Sequence, residues 1–576
     1  MLPMTFLPIV ERELRVASRR ALTYWVRLIA ALLALLVFAG FQIIAEMAKG
    51  AMFNLGQIEF SVMKWMSFAF ACSMGVFLTS DSLSEEKREG TLGLLFLTDL
   101  RGHDVVLGKL FSNSIRAVYG LLATFPVLGL TFLIGGVAGA EFGRVMLVIC
   151  NTLFFSLSLG LIISSVSRDT IKTMNGTLLA SVIFFGGLPL VDSLIPKLTS
   201  IPFKPILSIA SPVYLFAETD ASNPSNYWLS LGIQHAMGWG FLLLASLCAP
   251  RAWQEKSNNS SQTRYTLSEK LRFGGIRARA AFRRRLLDKE PFLWLALRDR
   301  WLARLILIVT MLGLAWLGTG IIYGKVSTAF RSAYYVQTAF VFLVELWVAS
   351  QASRFFVDAV RNGALELLLI TPTSPGQIAR SQWSAIWRTF LIPVLILILL
   401  QIIGGTMMFF QMRKAMTGMK GTPGFSFEYF QLVNMVVGVV SFIANLAAVA
   451  WFGMWMGVTT RKHSIAVLKT LCFVLILPWL ALIFVQGVSM AALAYSKGPF
   501  WISSLIVGGL CIGKDLFFIA WSRRRLLTGL REKVSRGEAA LPLQSTPSPV
   551  NEPPIIMPAV VSAIPVKAEA PPDVLP

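Results

Sequence analysis

Apolar residues in this chain come in runs of about twenty, and charged residues are pushed into the gaps between them. Twelve such runs can be marked, near 24–45, 60–79, 110–135, 144–166, 174–193 and 227–249, and then near 303–323, 334–353, 389–410, 430–458, 470–494 and 500–521. A helix needs about 20 apolar residues to cross a bilayer. Only helices and closed barrels satisfy their backbone polar groups in lipid, and barrel strands are about half as long. The pattern predicts an all-α polytopic membrane protein with 12 transmembrane helices.

Composition agrees. Of 576 residues, 55% are apolar and 14% charged, against about 25% charged in soluble domains. The 52 basic and 30 acidic residues leave a net charge of +22. The basic residues cluster beside apolar runs: "ERELRVASRR", the stretch 80–109, "SRDTIK", "TRKHS", "SRRRLLTGLREK", and residues 250–300 with 13 Lys/Arg against 5 Asp/Glu. All fall on one side if both termini are cytoplasmic, as the positive-inside rule requires, and they suit contact with anionic membrane lipid rather than nucleic acid. "MRKAMTGMKG" (412–421) runs against the rule. The organisation expected is a first six-helix half at 1–249, a basic linker at 250–300, a second half at 301–525 and a Pro/Ala-rich disordered tail at 538–576.

The halves echo one another. "EEKREGTLGLLFLTDLRGHDVVLGK" follows the second apolar run, and "VDAVRNGALELLLITPTSPGQIARSQ" follows the eighth. A shift of 273 residues places Glu85 on Asp358, Arg88 on Arg361, Gly90 on Gly363, Leu92 on Leu365 and Leu95 on Leu368. Six spans return the chain to its starting side, so the expectation is two parallel six-helix repeats related by an axis along the membrane normal. Each repeated stretch predicts a helix leaving the membrane, a break at the glycine, and a short amphipathic helix, about 91–97 in the first copy. Its leucines are expected to pack under the bundle while Glu85, Glu86, Arg88 and Glu89 face the cytosol.

The residues Glu86 or Glu89, Gly90-Thr91-Leu92, Leu94-Leu95, Thr98-Asp99 and Gly108-Lys109 resemble the cytoplasmic loop after the second helix of ABC-2 type permeases, the membrane subunits of ATP-binding-cassette transporters. The resemblance covers about 8–249 and 291–521. It implies that the loop docks on an ATPase, with Glu85, Glu86, Arg88, Glu89, Gly90, Thr91, Leu92 and Leu95 in one copy and Asp358, Arg361, Gly363, Leu365 and Leu368 in the other. The second copy departs from the pattern at Ala364 and at Ser381-Gln382. The outer loop 194–226 has a very short counterpart at 495–499.

The chain has no soluble block of about 200 residues for a nucleotide-binding domain. Gly508, Gly513 and Lys514 have phosphate-loop spacing, but Asp515 stands where a hydroxyl would hold magnesium and the stretch lies inside an apolar run. The implied protein is therefore a non-enzymatic permease subunit of a bacterial inner membrane. It binds no cofactor itself and pairs with separate ATPase subunits, two copies, which carry ATP-Mg and drive export. The three histidines and five cysteines show no metal spacing. Two intramembrane polar residues remain, Glu345 and His235. A carboxylate in lipid is costly enough to be a functional candidate, and Glu345 supports an alternative reading as an ion-coupled secondary transporter.

Overall fold

The computed structural model describes residues 21–47, 55–97, 100–134, 137–199, 205–220, 225–252, 280, 283–284, 291–297, 306–307, 310–311, 326–416, 424–460, 462–496 and 501–539. In these, α1 is Ala21–Met47, and α2 is Leu55–Met74, which runs into a π-helical turn at Gly75–Thr79. Two short helices follow, α3 (Ser82–Glu89) and α4 (Thr91–Phe96). Next come α5 (Gly102–Ile134), α6 (Gly139–Val166), α7 (Thr170–Val182), a π turn at Ile183–Gly187, α8 (Leu188–Thr199), α9 (Pro212–Ala217) and α10 (Ser225–Ala252). The second half carries α11 (Pro291–Leu297), α12 (Val326–Arg361), α13 (Ala364–Ile370), α14 (Pro375–Met416) and α15 (Gly424–Thr459). It ends with α16 (His463–Leu471), a π turn at Cys472–Ile476, α17 (Leu477–Tyr495) and α18 (Trp501–Ala539).

Among the described residues, ten helices are long and apolar enough to cross a membrane. α1 covers the first expected span, with an apolar core at Ala30–Ile43. The expected span at 303–323 lies almost wholly outside the described residues, as do most of the linker and the expected tail. The π turns are additions to the expected pattern. Each widens the helix by one residue per turn and leaves a carbonyl without its usual partner.

Helices in lipid gain little from burying apolar area against one another, so close approach and polar contacts hold them. α2 and α6 meet through Gly75 and Gly160. The Thr79 hydroxyl donates to the Leu157 carbonyl at 3.0 Å and the Ser156 hydroxyl to that of Ala71 at 2.6 Å. α15 meets α12 through Gly453 and Gly457. A Cβ on Gly457 would stand 2.6 Å from the Ser353 carbonyl oxygen. One apolar core fills the first half. The other fills the second half and takes in Val76, Met174 and Leu178 of the first, so the two halves share packing.

Candidate functional site

Only two described glycines have positive φ, Gly90 at 75° and Gly363 at 67°. Each ends one helix in the left-handed conformation and starts the next. A Cβ is disfavoured there, and the chain can turn sharply without one. The short helices α4 and α13 therefore leave at matching places, and each seats one leucine fully: Leu92 and Leu365 are both 0% exposed. Leu95 and Leu368 are half-buried beside them.

The opposite faces are apolar and exposed. Leu94 and Leu97 are 64% and 76% accessible, and their counterparts Leu367 and Ile370 are 68% and 82%. This corrects the expectation that the leucines would all pack under the bundle. A one- or two-turn helix cannot hide leucines at successive positions, because residues two and five beyond the seated leucine point to the other side. The sequence did contain the signal: leucines at 92, 94, 95 and 97 cover more than one helical face.

Of the charged residues, Glu85 and Glu86 are drawn partly inward, while Arg88 and Glu89 are exposed as expected. Lys109 on α5 is 2.7 Å from Glu86, which also receives the Thr91 hydroxyl. Lys87 donates to the Ser165 carbonyl, and Arg88 donates to the Thr170 hydroxyl and lies 3.8 Å from Asp81. Ser164 on α6 accepts from the backbone N–H groups of Leu83 and Ser84 at 2.9 and 3.0 Å, satisfying orphan donors at the start of α3. Cross-half pairs include two at this face. Lys462, just before α16, is 2.6 Å from Glu85, and Arg361 is 3.3 Å from Glu89. Asp358 is exposed and lies in the fields of Arg354, Arg88, Arg361 and Asp169. The face thus presents four apolar side chains around a belt of self-paired charge.

The second copy differs as a unit. By the same shift, Ala359 stands for Glu86, Ala364 for Thr91 and Gln382 for Lys109. Ala359 is buried, and Gln382 donates to the Gln351 carbonyl at 3.0 Å. All three members of the Glu86 cluster are exchanged together, which leaves no lone buried charge behind.

Two further sites involve polar residues among the spans. Glu345 on α12 is 6% exposed, and its Oε1 accepts from Asn445 of α15 at 2.9 Å. Lys514 on α18 does not reach towards the membrane surface. It donates to Asp515 at 2.6 Å, to the Val474 carbonyl at 2.8 Å and to Asn445 Oδ1 at 3.3 Å. Val474 sits in the π turn four residues before Pro478, which has no N–H to donate to its carbonyl. His235, expected within the membrane, is on the exposed side of α10. It meets Asn151 at 3.1 Å and accepts from Trp239 at 3.1 Å. Its neighbour Gln234 is the buried one and donates to the Ser211 carbonyl at 3.0 Å.

That bond helps seat the outer segment. Asp192 accepts from the Ile206 and Ser208 N–H groups at 2.9 and 2.6 Å. Lys64 on α2 holds Asp220 at 2.6 Å, with Glu141 3.8 Å away. Burial opposes the charge on Asp220, but the Lys64 ammonium and the Thr219 hydroxyl hold its carboxyl below the ordinary value. Among the described residues, no group of three His, Cys, Asp or Glu side chains is placed to hold a metal ion.

A bundle of long apolar helices with paired glycine-hinged loops defines a multi-pass, all-α membrane protein. Residues 7–244 match the family described as ABC-2 family transporter protein, so this first part of the chain is similar to the membrane components of ABC transporters. No curated protein matches it closely.

Proposed function

We propose that this protein is the membrane-spanning subunit through which a separate ATPase drives substrate export across a bacterial inner membrane. Two ATPase subunits, each carrying ATP-Mg, dock on the loops at Gly90 and Gly363. The observation that carries this reading is the matched exposure of Leu94 and Leu97 with Leu367 and Ile370. Large apolar side chains held out on rigid short helices are costly in water, and an interface removes that cost. Closing of the ATPases would push on α4 and α13. The seated leucines Leu92 and Leu365 would pass that push to the bundle, tilting the halves against one another.

The test is co-purification of the full chain with a nucleotide-binding ATPase encoded beside it. L94E/L97E and L367E/I370E should each weaken capture by more than tenfold and together abolish it, while the helical content of the chain stays unchanged. Full capture by the quadruple variant refutes docking at these helices. Transport that needs no ATPase and follows a proton gradient replaces this reading with the ion-coupled one.

A further inference from the structure

The cluster at Glu345 is more than the helix crossing needs. In the first half, α6 and α10 are joined by the Asn151–His235 contact, with no carboxyl in it. In the second half, the corresponding crossing of α15 and α18 is joined by Asn445 and Lys514, and two carboxyls are added. Asp515 is 0% exposed, and its Oδ2 is buried without a hydrogen-bond partner. Glu345 lies 16 residues before Arg361 at the end of α12. At 1.5 Å per residue that is about 24 Å along the helix from its cytoplasmic end. Asp515 lies eight residues before the basic run at Arg523, or about 12 Å along α18.

Lys514 supplies one positive charge, and Glu345 and Asp515 would supply two negative ones. An uncompensated charge in a low-dielectric interior costs several kcal/mol, so a buried group takes up a proton instead. Lys514 and Asp515 form a contact pair that is neutral overall. Among the described residues, Glu345 meets only the neutral Asn445 amide directly, through Oε1, which leaves its other oxygen to carry a proton. The charged and titratable groups around the cluster, among the described residues, are Lys514, Asp515 and Cys511, all on α18, with Glu345 on α12. Asn445 on α15 and the Val474 carbonyl supply neutral dipoles.

We propose that Glu345, Asn445, Lys514 and Asp515 form a proton-binding site inside the second half, which holds one exchangeable proton on Glu345. Asp515, Lys514, Asn445 and Glu345 make a continuous hydrogen-bonded chain across α18, α15 and α12. A relative shift of α12 and α18 that parts Lys514 from Asp515 and brings it to Glu345 would exchange the roles. Glu345 then gives up its O–H proton and keeps the electron pair as a carboxylate, and Asp515 takes one proton on the free Oδ2. The site is separate from the cytoplasmic face and is read on the chain alone, so its failure leaves the ATPase proposal untouched.

The experiment is infrared difference spectroscopy on the full chain in lipid nanodiscs at neutral pH, following the carbonyl stretch of protonated carboxyls in H2O and D2O. Wild type minus E345Q should show one such band, shifted in D2O. D515N should also lose it, because Glu345 then ionises to balance Lys514. K514Q should gain a second band, because both carboxyls must then be neutral. Absence of the band from the wild type minus E345Q difference overturns the proposal, as does a K514Q spectrum identical to wild type. Loss of the wild-type band on adding sodium chloride at fixed pH also overturns it, in favour of a metal-cation site.

Discussion

Arg361 of the second half reaches Glu89 of the first at 3.3 Å, and each residue stands within two positions of its own left-handed glycine. With Lys462 and Glu85 at 2.6 Å, this pins the bases of the two short helices to one another. Both pairs are partly exposed, with Arg361 37% and Lys462 50% accessible. Pairs of this kind contribute about 0.2–1 kcal/mol each. They are therefore suited to marking one arrangement of the halves rather than to holding the fold. E85K and K462E should each change the melting temperature by no more than a degree or two. Each should raise the rate at which engineered cysteines across the halves lose crosslinking, and the double exchange E85K/K462E should restore it. Crosslinking that ignores all three variants would show that the pair does not restrain the halves.

The two glycines make a second, quantitative claim. Nothing lies within 4 Å of a Cβ built on either Gly90 or Gly363, so the cost of substitution there is conformational alone. A side chain in the left-handed region costs about 1–2 kcal/mol. G90A and G363A should therefore lower stability by similar amounts. G90N and G363N should lower it by less than half as much, since Asn enters that region more readily. Denaturant titration of detergent-solubilised protein checks both. A large loss at one site and none at the other would mean that the two hinges do not play matching roles.

Much of this arrangement was legible in the sequence, for reasons that differ by region. Run lengths marked the spans, because lipid tolerates only long apolar helices. The 273-residue shift marked Gly90 and Gly363 as equivalent, and a residue that must turn left-handed leaves a clear signature. Which leucines are seated was only half legible. Leu92 and Leu365 were placed correctly, but Leu94, Leu97, Leu367 and Ile370 were not, because a helix of six or seven residues has too few turns for periodicity to assign its faces. Glu345 stood out as a lone carboxylate in an apolar run. Its partners Asn445 and Lys514 lie 100 and 169 residues further along the chain, beyond any local pattern. The inward turn of Glu85 and Glu86 depended on Lys462 and Lys109, which are likewise distant in the chain.

The outer segment yields a pH prediction. The Asp220 carboxyl is held below its ordinary value by Lys64, so the clamp is complete above the unfolded carboxylate pKa of about 3.9. It is lost only as pH falls through the lower folded value. Protease cleavage within 205–220, or exchange of its amides, should be flat from pH 8 to about pH 5 and rise steeply only at stronger acidity. D220N should show the high rate at every pH. A rise near neutrality in the wild type would mean that a group other than Asp220 fastens the segment.

The exchanged cluster gives the sharpest test of how the second loop came to differ. Lys109 and Glu86 have side chains 16% and 23% exposed, so this pair is more shielded than the surface pairs. A hydrogen bond to a charged group in such a place contributes about 1.5–3 kcal/mol, and removing one partner costs more because the other stays buried and unpaired. K109Q alone should therefore destabilise the first loop, and A359E alone should destabilise the second by a comparable or larger amount. A359E/Q382K should recover most of the loss, because it rebuilds in the second half the contact that Glu86 and Lys109 make in the first. Thermal unfolding of the wild type, A359E, Q382K and A359E/Q382K measures this coupling as a double-mutant cycle. A coupling near zero would show that residues 359 and 382 do not meet as 86 and 109 do. In that case the second loop would differ from the first in geometry and not only in side chains.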